Sequence, residues 1–480
     1  MSTTAAKKDK NLLHLVIYCV IAAMGWLLPV VEPITPAGMK LLGVFVAAIY
    51  GWSVTTEIWP SLLTIALIPF TGITTLTGLL TATWGSDTVL FMIFLFVMIA
   101  FLEETGSTSY MASFLMSRKF LKGHPWRLIF MIMLVSWVLS TFCNNVAGMM
   151  IGWGFVYKIC DVLGYKPFDK FANLMVFGVA VMGALSLSAV PWGHNALVIL
   201  GSYMQSSGQQ INFLHYLAYS IPFGLFSIFG FMLLCKFVFR LDVSRLKEFD
   251  PSTLASDEME LTKERKIALI SLAVLILWIV IPSVLPAANP VRVFCDQMGL
   301  SIKAMLMVVV LSMLKVEGKK VFNFGRLATK GVQWNMVLMI VAIYCFVGFL
   351  GSSDAGIGTF LGAVFTPLFK NVSPIMLFVL VLLITILLTN FMINMVVAVI
   401  MISATVPVAV SMGILPLQIV YLITISCTIA FMLPSASAAS CILFANTQWV
   451  RPKDVYKYSV PTIIMMAIVA LVWNLVIFSF

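Results

Sequence analysis

Residues 126–157 read WRLIFMIMLVSWVLSTFCNNVAGMMIGWGFVY, and the polar cluster at the centre of this apolar run decides the fold. A run of this length is long enough to span a bilayer, which needs roughly 20 apolar residues. Yet Cys143-Asn144-Asn145 interrupts it midway. Residues 373–411 repeat the pattern around Thr389-Asn390-Phe391-Met392-Ile393-Asn394-Met395. Each stretch either crosses once with a buried break or turns back to its own side as a hairpin.

Charge decides between the two. Spans read near 12–31, 37–54, 58–75, 87–103, 172–203, 217–238, 266–285, 297–314, 334–352, 417–447 and 459–480. If both interrupted stretches return to their own side, 25 of the 29 Lys and Arg fall in loops of one face, leaving only Lys40, Arg292, Lys303 and Lys370 elsewhere. A single crossing by either stretch would move every later loop and erase that bias. Basic loops mark the cytoplasmic side, so the reading is two re-entrant hairpins with the N-terminus inside and the C-terminus outside. Non-helical backbone at membrane depth survives only inside protein or beside a watery cavity. Two hairpin tips therefore imply a cavity.

Composition excludes the other classes. Apolar residues are 61% of the 480 and charged residues 10%, against roughly 45–50% and 25% in soluble domains. A soluble enzyme is ruled out, and runs of this length rule out a β-barrel. The net charge of +10 belongs to cytoplasmic loops, so no nucleic-acid partner is expected. The eight cysteines are scattered through apolar runs without a CxxC or Cys/His cluster, as small buried hydrophobes rather than disulfides or a metal site. Lys7, Lys8 and Lys10 precede an apolar run without a small-residue cleavage site, which reads as a retained first span. Residues 241–265 form a solvated cytoplasmic linker.

An internal repeat is visible. Trp84/Trp334, Gly106/Gly356 and Asn144/Asn394 are each 250 residues apart, and Pro125 and Pro374 open the two hairpins. The loop before the first hairpin carries Arg118, Lys119, Lys122 and Arg127, whereas its counterpart carries only Lys370. The copies are thus inverted, the architecture of secondary transporters whose site lies between the repeats.

At the tips, Cys143, Asn144 and Asn145 in one repeat and Asn394 with Met395 in the other offer amide groups beside free helix ends. Each hairpin is followed by a second broken span, Ser186–Asn195 and Pro434–Ser440. Pro191, Gly193 and Pro434 would unwind the helix, and Ser188, Ser435, Ser437 and Ser440 supply hydroxyls. Such breaks are natural carboxylate or cation sites. The substrate set is Cys143, Asn144, Asn145, His194, Asn195, Asn394, Met395, Ser435, Ser437 and Ser440. The cation set is Asn144, Ser188, Pro191, Gly193, Asn394 and Pro434. His194 is the histidine expected at membrane depth. Acids such as Glu57, Asp87, Glu103, Glu104 and Asp354 fall at span ends or in loops, which disfavours a buried carboxylate proton relay. No nucleotide motif or nucleophile–base set appears. The protein is not expected to be an enzyme, and a gradient must drive it.

With Trp59-Pro60, the paired Trp–Gly–hairpin units, Met432-Leu433-Pro434 and Arg451-Pro452-Lys453, residues 10–480 resemble the divalent-anion/sodium symporter family of the ion-transporter superfamily. The resemblance implies an all-α polytopic membrane protein of about eleven transmembrane helices plus two re-entrant hairpins. It also implies a homodimer, an elevator movement, and sodium-coupled carriage of carboxylates or sulfate across a bacterial inner membrane. The division it implies is a cytoplasmic segment 1–11, scaffold helices 12–125, the first hairpin and transport helices 126–240, linker 241–265, scaffold helices 266–372, and the second hairpin and transport helices 373–480. The family's Ser-Asn-Thr tips correspond here to Cys143-Asn144-Asn145 and Ile393-Asn394-Met395. Only the asparagines are kept, and the apolar wall from Ile393 and Met395 suits a substrate with one carboxylate and a less polar end, while a dicarboxylate stays open because backbone N–H groups can replace the lost hydroxyls. The expected function is cation-coupled transport of a small organic anion. A cation-independent exchanger on the same fold is the alternative, with a channel or antiporter as the third reading.

Overall fold

The computed structural model describes residues 2–55, 57–143, 145–254, 260–286, 288–350, 354–360, 363 and 372–479, with side chains at these positions except 2–10, 194 and 347–350. Helices α1 (Ser2–Leu27) and α2 (Pro36–Val54) pack antiparallel, followed by α3 (Trp59–Leu67). Pro36 and Pro60 each sit in a first helical turn, where the missing N–H costs nothing. Next come α4 (Leu76–Ala82) and α5 (Asp87–Glu104), bent by 53° at Trp84, and α6 (Ser107–Met116). The first hairpin is α7 (Pro125–Phe142) and α8 (Asn145–Leu163). It leads into α9 (Lys170–Ser186), α10 (His194–Ser207) and α11 (Phe213–Leu233), which ends in a π-turn at Leu234–Val238.

The second half follows as α12 (Lys263–Val280), α13 (Pro290–Gln297), α14 (Gly299–Met313), a two-residue β-ribbon, α15 (Phe324–Gly331) and α16 (Trp334–Leu350). It closes with α17 (Pro374–Thr389), α18 (Asn394–Ser411), α19 (Pro416–Ser426), α20 (Ala438–Ala445) and α21 (Pro452–Ile477). Among the described residues, seven helices are long and apolar enough to cross a membrane, and ten if each of three bent pairs is one span. The expected single spans 172–203 and 417–447 are each two shorter helices separated by a break. Such halves fall below spanning length one at a time, as do the apolar part of α1 and α3, while α7, α8 and α18, counted among the seven, are hairpin arms; the count therefore does not map one to one onto the eleven expected spans.

The repeat recurs in the backbone. Trp84 and Trp334 sit at elbows of 53° and 72°, and Gly106 and Gly356 both adopt φ of 67°, a left-handed geometry open to glycine at no steric cost. Pro125 and Pro374 open α7 and α17.

Polar contacts tie several loops to one another. Lys122 pairs with Asp250 at 2.6 Å, Lys263 with Glu317 at 2.9 Å, and Arg326 with Glu104. The Arg245 guanidinium lies over Tyr165, Arg451 over Phe168, and Lys170 donates to the Arg240 carbonyl. The loops flanking the first hairpin, 118–124 and 165–170, therefore share one face with the linker and with 315–326 and 451. Gly356 instead packs against the Pro33 carbonyl, and Thr35 donates to the Asp354 carbonyl at 2.6 Å, at the far end of α2.

Apolar side chains gather in two main clusters. One joins α6–α11 with α17–α21, and the other joins α2–α5 with α12–α16, touching the first body through Val190, Trp192, Leu197 and the start of α18. Within the second cluster, Asp87 caps α14 by accepting from the Leu300 and Ser301 N–H groups at 2.8 and 2.9 Å.

Candidate functional site

The first hairpin closes on small residues. A Cβ on Gly148 would fall on the Ser140 backbone, and one on Gly152 on the Ser136 hydroxyl. The pairs 140/148 and 136/152 are both centred on position 144, so the arms are antiparallel about that residue. Close approach through small residues is how helices associate in lipid, where no hydrophobic force drives them together. Asn144 itself lies outside the described residues. Cys143, at 1% exposure, is buried. The Asn145 amide donates to the Gly183 carbonyl and to Ser186 Oγ, the latter at 3.1 Å. This ties the first tip to the C-terminal end of α9.

The second tip is tied to its own break by different residues. Thr389 Oγ1 is 2.8 Å from both Asn394 Oδ1 and the Cys427 carbonyl. Asn390 donates to the Ile386 and Ile429 carbonyls at 2.8 and 3.0 Å and accepts from the Met432 N–H at 3.0 Å. In the break, Ser437 donates to the Ala430 carbonyl and accepts from the Ser440 N–H, capping α20, while Ser440 donates to the Leu433 carbonyl at 2.6 Å. Pro434 and Ser435 remain exposed.

The first break, residues 187–193, is held by α11. Tyr216 Oη donates to the Ser188 carbonyl at 2.7 Å and Ser220 Oγ to the Ala189 carbonyl at 2.8 Å. The Leu187 carbonyl accepts from Ala196 N–H and that of Val190 from Gly193 N–H. Backbone unwound in a low-dielectric interior costs several kcal/mol per unpaired group in lipid; these bonds remove that cost.

The two breaks meet. Ser188 Oγ lies 3.2 Å from Thr428 Oγ1, and both residues are buried. This contact links two polar groups into one path along the chain: Asn145 bonded to Ser186, two residues before Ser188, and Thr389 bonded to Asn394 and to the carbonyl of Cys427, the residue before Thr428. Across it the repeats interlock: α10 packs on α18, and its counterpart α20 on α8. Gly183, Met149 and Ala439 meet at van der Waals distance, 3.6–3.7 Å from a Cβ placed on Gly183. Four helices, α8, α10, α18 and α20, begin around this path, and α7, α9, α17 and α19 end there. Helix starts carry partial positive charge and helix ends partial negative charge. Anion and cation can therefore be held side by side by neutral groups.

Of the residues singled out in the sequence, Cys143, Asn145, Ser188, Asn394, Met395 and Ser440 are gathered on or next to this path, with Asn195 buried in the first turn of α10. Pro191 and Gly193 lie buried in the first break. The His194 side chain lies outside the described positions. Asn145, Ser437 and Ser440 spend hydrogen-bonding capacity on the protein itself. Sequence reasoning placed Thr389 and Asn390 in the second tip without including them in the site, and did not single out Thr428. Thr389 and Asn390 lie within five residues of Asn394, but nothing distinguishes Thr428 from other hydroxyls in apolar helices.

Away from the breaks, α10 also meets the other body. A Cβ on Gly201 would overlap the Tyr344 hydroxyl and lie 2.8 Å from Thr88 Oγ1. Tyr344, 1% exposed, faces Thr88 and Ser202 without a hydrogen bond of good geometry. On the side of the basic loops, a cleft of about 200 Å³ opens between α5 and the α15–α16 elbow, lined by Phe96, Ile99, Glu103, Lys330 and Gln333.

Residues 45–425, more than half of the chain, match the model of a family described as citrate transporter. No curated protein matches it significantly. Among solved structures the chain is similar to the YdaH transporter of Alcanivorax borkumensis, a protein described as having an unusual topology. The two are 13% identical over 92% of this chain and 97% of that one, with a TM-score of 0.60. At that identity the likeness shows the fold alone, that of a helical polytopic membrane protein, and the family match marks a transporter rather than an enzyme.

Proposed function

This chain belongs to the citrate transporter family, a family of carboxylate-type secondary transporters, and we propose that it carries citrate or a related small carboxylate together with a cation, sodium first. The observation that carries the proposal is the Ser188–Thr428 contact between the two breaks to which the tips are separately bonded. The substrate carboxylate sits at the helix starts near Asn145, Asn394 and the N-terminal end of α10, which begins at His194; Asn144, expected to share in the site, lies outside the described residues. The cation sits among hydroxyl and carbonyl oxygens at the helix ends around Ser188, Thr428 and Thr389, the donor type that hard cations prefer. The resemblance to divalent-anion/sodium symporters supports sodium over other ions.

The movement is an elevator, with the α7–α11 and α17–α21 body sliding against the other as part of a homodimer. Two separate apolar clusters support this. So does an asymmetry between repeat-equivalent elements: α10 packs against α5 and α16, whereas α20 packs against α8 and α9 of its own body. We assign this asymmetric packing to the inward-facing arrangement; the α5 cleft on the basic face, cytoplasmic by charge, belongs to the α2–α5 and α12–α16 body. A thermal-shift screen tests the site. Citrate should raise the melting temperature more with sodium than with choline, because a ligand stabilises the state it binds. Stabilisation by citrate without any cation effect selects the cation-independent exchanger. No stabilisation by any carboxylate removes the proposal.

A further inference from the structure

Beyond transport, we propose that the groove between α11 and α21 is a binding site for an anionic phospholipid. The groove is open, about 420 Å³ in volume, and lined by Leu234, Pro461, Ile464, Met465, Ile468 and Val469, all apolar. Its origin is local. The π-turn Leu234–Val238 widens the end of α11, and Pro461 inside α21 interrupts the opposing ladder. Gly230 admits the Met465 thioether higher up.

The lining has a polarity along the membrane normal. Lys457, Pro461, Ile464 or Met465, and Ile468 recur every three or four residues and share one face of α21. From Pro461 to Val469 the groove rises roughly 12 Å, and Lys457 lies one turn below it toward the basic loops. Lys236, in the π-turn, comes from the other wall, 5.9 Å from the Trp126 ring and 5.2 Å from the Phe237 ring. Both lysines are exposed and neither is in an ion pair among the described residues. An acyl chain fills the apolar groove while two ammonium groups and an indole wait at headgroup level. That charge complementarity fits a negatively charged phospholipid, not a zwitterionic one, since basic pockets between helices on the cytoplasmic side select anionic headgroups.

The test is native mass spectrometry of the full chain released from nanodiscs of phosphatidylcholine containing phosphatidylglycerol. The intact protein should retain phosphatidylglycerol over phosphatidylcholine. K236Q/K457Q should lose that preference by roughly tenfold, and Ile468→Trp, which fills the groove and leaves the charges, should lose retention as well. K319Q/K320Q, on the same face but distant from the groove, should keep it. Equal retention of the two lipids, or unchanged preference in K236Q/K457Q and Ile468→Trp, overturns the site. So does a loss of dimer mass in Ile468→Trp, which would make a second copy the occupant.

Discussion

Gly201→Ala should drive the protein out of the arrangement described here. The added methyl would overlap Tyr344 Oη and lie 2.8 Å from Thr88 Oγ1, in a contact where both helices are buried. Overpacking of this kind costs about 1–3 kcal/mol. If the contact exists only in the state open to the basic face, that cost falls on this state alone, and the equilibrium shifts about 5–150-fold toward the other. The reporter is a single cysteine at Gln333, which lines the cleft. The eight native cysteines are replaced, Cys143 by the serine that the symporter motif carries. Labelling by an impermeant maleimide in inside-out vesicles should change severalfold in Gly201→Ala as the other body shifts relative to the α2–α5 and α12–α16 body that carries the cleft. Tyr344→Phe removes the overlapping oxygen and leaves no hydrogen bond unmade, so alone it should change labelling by less than about twofold. Combined with Gly201→Ala it should restore most of the rate, the residue of strain coming from Thr88. The reasoning is refuted if Gly201→Ala labels like the parent, or if the double variant is no better than Gly201→Ala. If citrate also fails to alter labelling of the parent, the elevator reading itself falls, separately from the Gly201 contact.

Asn390→Ala should lower stability by about 2–4 kcal/mol, because it strands the Met432 N–H and the Ile429 carbonyl in the interior; a thermal melt in detergent unchanged from the parent would contradict this. Gly148→Ala should abolish folded protein in fluorescence-detected gel filtration, since its methyl meets the Ser140 backbone, which cannot step aside. Thr428→Val keeps shape but removes the hydroxyl facing Ser188, and should raise the sodium concentration for half-maximal uptake severalfold while leaving the melt within a degree or two. Asp250 is held down to about 2, chiefly by the bond from the Lys122 ammonium and then by Ser252. A depressed carboxyl contributes above its unfolded value near 3.9 and loses that contribution only as pH falls toward 2. Asp250→Asn should therefore leave the pH profile of uptake between 5 and 8 unaltered.

The interrupted runs were legible as helix–break–helix units because two different signals agreed: polar clusters inside apolar runs, and basic residues that gather in loops of one face only if both runs turn back. The glycines at 106 and 356 were legible for a related reason, since a left-handed backbone leaves little choice of residue and both share φ of 67°. The joining of the breaks was not. Thr428 sits in an apolar helix end like Thr385 or Thr405, whose hydroxyls bond back to the carbonyl four residues earlier. Only tertiary packing brings Thr428 against Ser188, 240 residues away. Nor does sequence separate hydroxyls that serve a ligand from those, such as Ser437, consumed in capping a broken helix. The unequal use of Asn145 in one half and Asn390 in the other was hidden as well, because the two halves solve the same problem of unpaired backbone with residues that do not correspond.

Labelled citrate uptake into proteoliposomes bearing the purified chain tests the central claim most directly. With sodium high outside and none inside, the label should accumulate above its external concentration, and Ser188→Ala with Thr428→Val should abolish the accumulation while the protein still melts cooperatively. Equilibration to equal concentrations regardless of sodium, or accumulation untouched in that double variant, would contradict a carboxylate and cation site built where the two broken spans touch.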